Sequence, residues 1–317
     1  MAYSQYGRIE ASDFNAFVGN AVVGITTANT LNTVWGIGSG NNGYGQTGVP
    51  QVSQNNLIVN GDWGNLLNTT TTIARHQNTA ITSVTVPQQG DRIEVIAPIS
   101  TNLTSIYTNR LNATAQGASV PSTTTVGTAW SSAITFIHVV SFTSADTARY
   151  FFNTGGQIAL TFSHPTGSGV NALMSALGTA CGTLVLSAPS SGSATIAGTS
   201  YNGISKIGGS GSVTTIVPNA GFYGLTTTNQ EVFKQLGTGT PSAYAGSFIS
   251  VNARINALPG SGSVITITTL WDEVPNGGAT LGLTSGTATT CTVRYPSTSY
   301  LANTWSSVGV VGSVTGS

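Results

Sequence analysis

The sequence predicts a mainly β protein in which a small helical N-terminal module precedes an antiparallel, sandwich-like β region, and three observations carry that expectation. Two segments near the start repeat apolar residues at helical spacing behind an acidic first turn. After about residue 130 the apolar period changes toward two, with strand-length runs separated by Gly, Pro and Asn clusters. Charge is scarce: of 317 residues, nine are Lys or Arg, nine are Asp or Glu and three are His. Disorder pairs low hydrophobicity with high net charge, whereas here 39% of residues are hydrophobic and the formal net charge is zero.

Within the first region, residues 1–115, Ser12 is placed to cap a helix over 13–23, with Asp13 in its first turn and Phe14, Phe17, Val18 and Ala21 on one face. Asn60 is the matching cap for a helix over 61–77 that carries Asp62, Trp63, Leu66, Leu67 and Ile73. Thr69 to Thr72 weaken this second helix by competing for backbone hydrogen bonds. The stretch from Ile9 to Phe17 echoes the stretch from Ile58 to Leu66 at an offset of 49 residues. Each sets an aspartate near the positive helix end, followed by an aromatic anchor. Neither aspartate has a basic or metal-binding cluster beside it, so the pair reads as a paired-helix module.

Between the helices runs Val34-Trp35-Gly36-Ile37-Gly38-Ser39-Gly40-Asn41-Asn42-Gly43-Tyr44-Gly45-Gln46, with a formal G-x-G-x-x-G match at Gly38, Gly40 and Gly43. A dinucleotide site needs a strand before those glycines and a helix opening after them. More glycine and Pro50 follow instead, so the segment reads as an ordered loop clamped by Trp35 and Tyr44.

Residues 116–130, rich in Ser, Thr and Val, form the expected junction to the β-rich domain of 131–317. There Ile158, Leu160 and Phe162 share one strand face, and further strands are expected over Ala133–Phe142, Cys181–Ser187, Ser212–Val217, Phe248–Asn256, Ser263–Leu270 and around Cys291, Val293 and Tyr295. Short helices are expected at Asn171–Leu177 and Thr228–Leu236. Ser190–Gly211 reads as a packed loop or short strands, and Val308–Ser317 as an exposed arm or an edge strand added to a neighbour.

Little here supports chemistry. Cys181 and Cys291 lack metal spacing and read as buried free thiols, with a long-range disulfide as the alternative. His76, next to Arg75, suits the negative end of the second helix; His138 lies inside an apolar strand, and His164-Pro165 begins a turn. Consecutive strand residues face opposite ways, so Asp272-Glu273 cannot oppose two carboxylates across a substrate. Asp91, Arg92 and Glu94 read as a surface or interface group. There is no phosphate loop, zinc pattern or basic run, so no cofactor, metal, nucleic-acid or membrane-surface site is expected. The N-terminal residues lack the pattern of a signal peptide, and apolar runs stop short of membrane-helix length.

The blocks Ile9-Glu10-Ala11-Ser12-Asp13-Phe14-Asn15, Gly43-Tyr44-Gly45-Gln46, Asp62-Trp63, Arg75-His76-Gln77 and Asp146-Thr147-Ala148-Arg149-Tyr150-Phe151-Phe152-Asn153-Thr154-Gly155-Gly156 together resemble virion structural proteins of tailed bacteriophages, in particular neck, tail and fibre-associated proteins of marine or cyanobacterial phages. The resemblance implies a noncatalytic virion subunit, made in the host cytoplasm, whose partners are other virion proteins and copies of itself. Its structural anchors would be Asp13, Phe14, Trp35, Tyr44, Asp62 and Trp63, with Asp146 and Arg149 pairing across a turn and Gly155-Gly156 leading into the Ile158 strand. The principal alternative is a carbohydrate-binding fibre module that stacks host glycans on Trp130, Tyr201, Trp271, Tyr295 or Trp305. A third is a fibre-borne glycan hydrolase using Asp146, Glu231, Asp272 and Glu273.

Overall fold

A computed structural model describes residues 11–19, 30–54, 56–88, 96–237, 244–258, 260–275 and 280–316. The N-terminal helices are α1 (Ala11–Val18), α2 (Leu31–Trp35), α3 (Asn60–Gln77) and α4 (Ile96–Thr108). The echoed helix starts meet: Phe14 of α1 and Trp63 of α3 pack edge to face with centroids 5.3 Å apart. The expected caps do not hold. Ser12 lies inside α1, and Val59 precedes α3 as its cap residue; the Asp62 carboxylate accepts the Val59 N–H at 2.9 Å, while Asn60 donates to the Pro87 carbonyl. α1 stops at Val18 because Gly19 turns left-handed with φ 72° and returns its N–H to the Asn15 carbonyl. The remainder of the expected 13–23 helix and the Asp91, Arg92 and Glu94 group lie outside the described residues.

Side-chain amides bind the extended segments of this module. Asn15 pairs with both backbone groups of Val52, Asn32 with both of Val49, and Asn102 with both of Thr82, at 2.8 to 2.9 Å. Each amide supplies one donor and one acceptor, the complement of a single peptide residue, and so replaces a neighbouring strand.

The rest is a two-sheet sandwich. One sheet has the order β1 (Gln116–Thr125), β12 (Ala288–Pro296), β3 (Gln157–Ser163), β4 (Thr183–Leu186), β7 (Ile204–Ile207). The other runs β13 (Gly309–Thr315), β2 (Ala133–Ser141), β11 (Val264–Asp272), β10 (Phe248–Ile255), β9 (Gln230–Leu236), β8 (Val213–Ile216). A small hairpin, β5 (Ala194–Ile196) with β6 (Thr199–Tyr201), lays Ile196 and Tyr201 against Ala159 and Val185 on the outer side of the first sheet. All strand pairs within the sheets are antiparallel.

Period-two patterning explains the inner faces. Ile134, Phe136, His138 and Val140 of β2 and Ile265, Ile267, Thr269 and Trp271 of β11 all turn inward. Ile158, Leu160, Leu184, Leu186 and Ile204 of one sheet meet Val232, Val251, Ala253 and Ile267 of the other around a void of about 10 Å³, which such an apolar lining keeps dry. Helix α5 (Ala145–Asn153) brings Phe151 and Phe152 into a ring cluster with Phe142, Tyr295 and Phe222. Helix α6 (Val170–Cys181) packs so closely that a Cβ on Gly178 would stand 2.9 Å from the Trp271 ring.

Four expectations are corrected. The junction of 116–130 contains β1, whose Ser/Thr-rich, mostly exposed sequence carries no apolar alternation because it is an edge strand. Thr228–Leu236, read as helical, contains β9: a register irregularity opposite Val251 and Asn252 buries both Val232 and Phe233, breaking the alternation. The C-terminal arm is β13, paired with β2 of its own chain. Asp146 and Arg149 pair along helix α5 rather than across a turn.

Asn32→Ala removes the amide that satisfies Val49 and leaves buried peptide groups unpaired. We expect a loss of about 2 to 3 kcal/mol in urea unfolding, against a change within about 0.5 kcal/mol for an exposed control such as Thr298→Ala.

Candidate functional site

The densest polar constellation among the described residues surrounds the glycine-rich loop. Its base is closed like a hairpin: Gly45 N–H donates to the Gly36 carbonyl at 2.8 Å and Gln46 N–H to the Trp35 carbonyl at 3.0 Å. Gly43 takes φ 86°, and a Cβ there would collide with the Ile37 carbonyl at 2.3 Å, so glycine is required. Trp35 holds the loop's exit by donating Nε1–H to the Thr47 carbonyl, and buried Tyr44 donates its hydroxyl to the Arg110 carbonyl.

The loop turns its carbonyls toward a cation. Ser144 and Thr147 cap α5 reciprocally, and one turn later Arg149 projects into the loop with only 5% of its surface exposed. Its Nε donates to the Gly40 carbonyl at 3.2 Å, Nη2 to the Ile37 and Asn42 carbonyls at 3.1 Å each, and Nη1 to the Asp146 carboxylate at 2.6 Å. Asn153, also on α5, donates to the Asn42 and Gly43 carbonyls, and Arg110 donates to that of Asn41. The Tyr223 hydroxyl lies 2.7 Å from the Gly40 carbonyl and 2.8 Å from Asn153 Oδ1. Burial holds the phenols of Tyr44 and Tyr223 well above their ordinary range. A phosphate cradle presents N–H groups; these carbonyls face cationic and amide donors of the same chain, which is the opposite polarity.

Gly155-Gly156 follows directly. Gly155, at φ 94°, approaches Ala113 so closely that a Cβ would stand 2.5 Å from the alanine Cβ. The pair does lead into β3, and it also lets the end of α5 pack against the end of the helical module.

The remaining candidates are structural in their surroundings. His76 is buried, edge-on to Tyr44 at 5.3 Å, and desolvation lowers it to about 4 against an opposing backbone hydrogen bond to Thr154. Desolvation thus works against the charged helix-end role expected for it. His138 is lowered by burial, and its Nε2 lies 3.2 Å from Thr124 Oγ1. His164, also lowered by burial, stands between Thr287 Oγ1 at 2.7 Å and Asn171 Oδ1 at 2.9 Å. The Thr287 hydroxyl also accepts the indole N–H of Trp130, and Asn171 Oδ1 accepts Thr284 N–H. This hydroxyl, imidazole and amide string resembles a nucleophile relay in composition alone, because Thr287 is fully buried against the core.

Cys181 and Cys291 are free, and burial pushes each thiol up to about 12. Asp272 and Glu273 occupy opposite faces at the end of β11; Glu273 is buried and accepts Leu281 N–H, while burial raises Asp272 against the attraction of Lys234. Asp146 is committed to Arg149, and Glu231 lies exposed on β9. The rings named for sugar stacking do not offer faces: Trp130, Tyr201, Trp271 and Trp305 are buried, and Tyr295 is half-buried with its hydroxyl accepting Val308 N–H. Among the described residues no group of three or more His, Cys, Asp or Glu is placed to hold a metal ion, and no helix is long and apolar enough to cross a membrane.

Comparison of the chain with protein-family models, curated proteins and solved structures finds no match in any of the three.

Two outcomes follow from this geometry. Arg149→Met strips the donors from three loop carbonyls and should cost about 3 to 5 kcal/mol in equilibrium unfolding. It should also open the loop of 36–46 to limited proteolysis, and Arg149→Lys should recover less than half of the loss, because an ammonium cannot span three carbonyls. For His76 the folded value of about 4 lies below the unfolded 6.5. Its neutral form therefore stabilises the fold above the unfolded value, and that contribution falls by about 3 kcal/mol as pH drops toward 4. Urea titrations of wild type and His76→Leu should differ in slope across that window; coincident slopes would refute a buried neutral imidazole.

Proposed function

We propose that the protein is a noncatalytic assembly subunit of a tailed-phage virion, of the neck, tail or fibre-associated kind, acting through contact with other virion proteins and with copies of itself. The observation that carries this reading is the outer face of the β13–β2–β11 part of the sandwich. Register places Val311, Val139 and Thr266 in one row, Ser313, Ile137 and Thr268 in the next, and Thr315, Thr135 and Leu270 in a third. A solvated antiparallel face ordinarily alternates to polar residues; here Val139, Ile137, Val264 and Leu270 stand half-exposed and Val311 is 71% exposed. No charged residue interrupts these rows until Asp272 at the end of β11. A neutral apolar face suits burial against a neighbour, and the chain's zero net charge offers no long-range repulsion between copies. The block resemblance supplies the virion setting. The glycan-binding reading has lost four of its five rings to the interior.

The experiment is proteomics and imaging of purified particles from the phage that encodes the chain. We expect it in multiple copies per particle, and Ile137→Glu, at a half-exposed outward position, should reduce incorporation at least about tenfold while leaving the far-UV spectrum unchanged, on the scale of one buried charge introduced at an interface. A chain found free and absent from particles would overturn the proposal.

A further inference from the structure

Among the described residues the sandwich has four edge strands, β1, β7, β8 and β13, and three of them are blunted. Hydrogen bonding defines which groups each edge exposes. Phe142 N–H donates to the Ser263 carbonyl and Glu273 N–H to that of Ser132, so the even-numbered residues of β2 bond toward β11 and the odd-numbered ones toward β13. With Gly309 opposite Ser141 and Thr315 opposite Thr135, the odd residues of β13 bond to β2. Val310, Gly312 and Val314 therefore turn their N–H and C=O groups to the free edge.

The same alternation applied to β1 begins at Val126, whose N–H donates to the Thr287 carbonyl, and puts Ser119, Pro121, Thr123 and Thr125 on its free edge. Pro121 has no N–H to offer there, and the register of β1 is irregular between Gln116 and Ser119. β7 spans four residues, carries Lys206, and gives its Ile204 N–H to the Pro218 carbonyl. β8 also spans four residues and has an irregular register. β13 has none of these protections: seven residues, Gly-Val-Val-Gly-Ser-Val-Thr, without proline, charge or register irregularity.

We propose that the free edge of β13 is a self-association surface that takes β13 of a second copy in antiparallel pairing about a two-fold axis at Gly312. The inference rests on the assembly reading and names its contact. A strand edge is complementary to a strand, and antiparallel pairing of one strand with itself closes as an isologous pair. A two-fold axis at Gly312 sets Val310 opposite Val314 of the second copy and Val311 opposite Ser313 of the second copy. It leaves no side chain at the axis. Charge favours the same occupant: β13 and β2 contain no Lys, Arg, Asp or Glu, so two copies meet there without like-charge repulsion. The two apolar outer faces then continue into one another across the pair.

The test uses the full chain. Wild type should show a concentration-dependent monomer–dimer equilibrium by light scattering and sedimentation. Val310→Pro removes an outward N–H that the β2 ladder does not use, and thereby two hydrogen bonds per pair, so it should weaken dimerisation about ten- to hundredfold. Val311→Lys changes an exposed outward side chain and should weaken it too, with the far-UV spectrum of both variants confirming the fold. Register is tested separately: a mixture of Val311→Cys and Ser313→Cys chains should cross-link on mild oxidation, because these positions form a closely spaced non-hydrogen-bonded pair, whereas either variant alone should not.

A strictly monomeric wild type, a Val310→Pro protein as dimeric as wild type, or cross-linking of each cysteine variant with itself would each overturn the proposal. Dimerisation of a chain absent from particles would defeat the assembly reading and leave the edge contact standing. Particle incorporation of a chain that never pairs through β13 would do the reverse.

Discussion

Arg149 places a guanidinium where water scarcely reaches, and the glycine-rich loop is arranged around it. A buried charge is costly unless its hydrogen bonds are met. Four acceptors meet them: three loop carbonyls and the Asp146 carboxylate. The loop is equally dependent, since its carbonyls of Ile37, Gly40 and Asn42 turn away from the backbone ladder and need donors from elsewhere. α5 supplies Arg149 from its middle and Asn153 from its last turn, so helix, loop and the Phe151–Phe152 ring cluster form one block. That block fastens the helical module to the sandwich. Tyr44, within the loop, bonds to Arg110 beyond α4, and Tyr223 reaches Gly40 from the far side.

Elsewhere the chain achieves comparable fastening without ions. Gln46 binds both backbone groups of Ala302 at 3.0 Å, as Asn15, Asn32 and Asn102 bind theirs. A primary amide is neutral, so burying it once paired avoids the ionic desolvation penalty that opposes a buried salt bridge. This is how a chain with 6% charged residues can hold irregular segments in fixed places: amides take the positions that Lys, Arg, Asp and Glu occupy at many protein surfaces, and two arginines, Arg149 and Arg110, are kept where the loop carbonyls converge.

These devices mark where sequence reading succeeds and where it stops. β2 and β11 were legible because one face of each is buried in strict alternation, and β3 because Ile158, Leu160 and Phe162 still recur at period two although Ala159 is buried as well. β9 was hidden by a bulge that buries consecutive residues, and β1 by being an edge with almost nothing to bury. Phe14, Asp62 and Trp63 stand out in the sequence because capping charge and aromatic spacing are local signals; in the fold the Asp62 carboxylate accepts the Val59 N–H and the Phe14 and Trp63 rings meet. The role of Arg149 was not legible. Its carbonyl partners lie more than a hundred residues earlier in the chain, and an arginine three residues after an aspartate reads as a local ion pair, taken from the sequence to cross a turn. The amide clamps were equally silent, since Asn in a Gly-rich context reads first as a turn residue.

Low charge acts differently inside and outside the molecule. Inside, amides and hydroxyls satisfy many of the peptide groups they face, as at Val49, Val52, Thr82 and Ala302. Outside, it removes the commonest means of keeping sheet edges apart, which is a lysine or glutamate on the edge strand. β7 keeps one such lysine, Lys206, on a strand of four residues, and the other two edges compensate by other means: a proline in β1, brevity in β8, and register irregularity in both. The same chain leaves β13 long, regular and uncharged beside a partly exposed Val/Ile/Thr face, the combination on which the proposed contact rests. Edge and face lie on the same strands, so a second copy paired along one would be brought to the other, and in the proposed pairing the scarcity of charge acts at both surfaces at once.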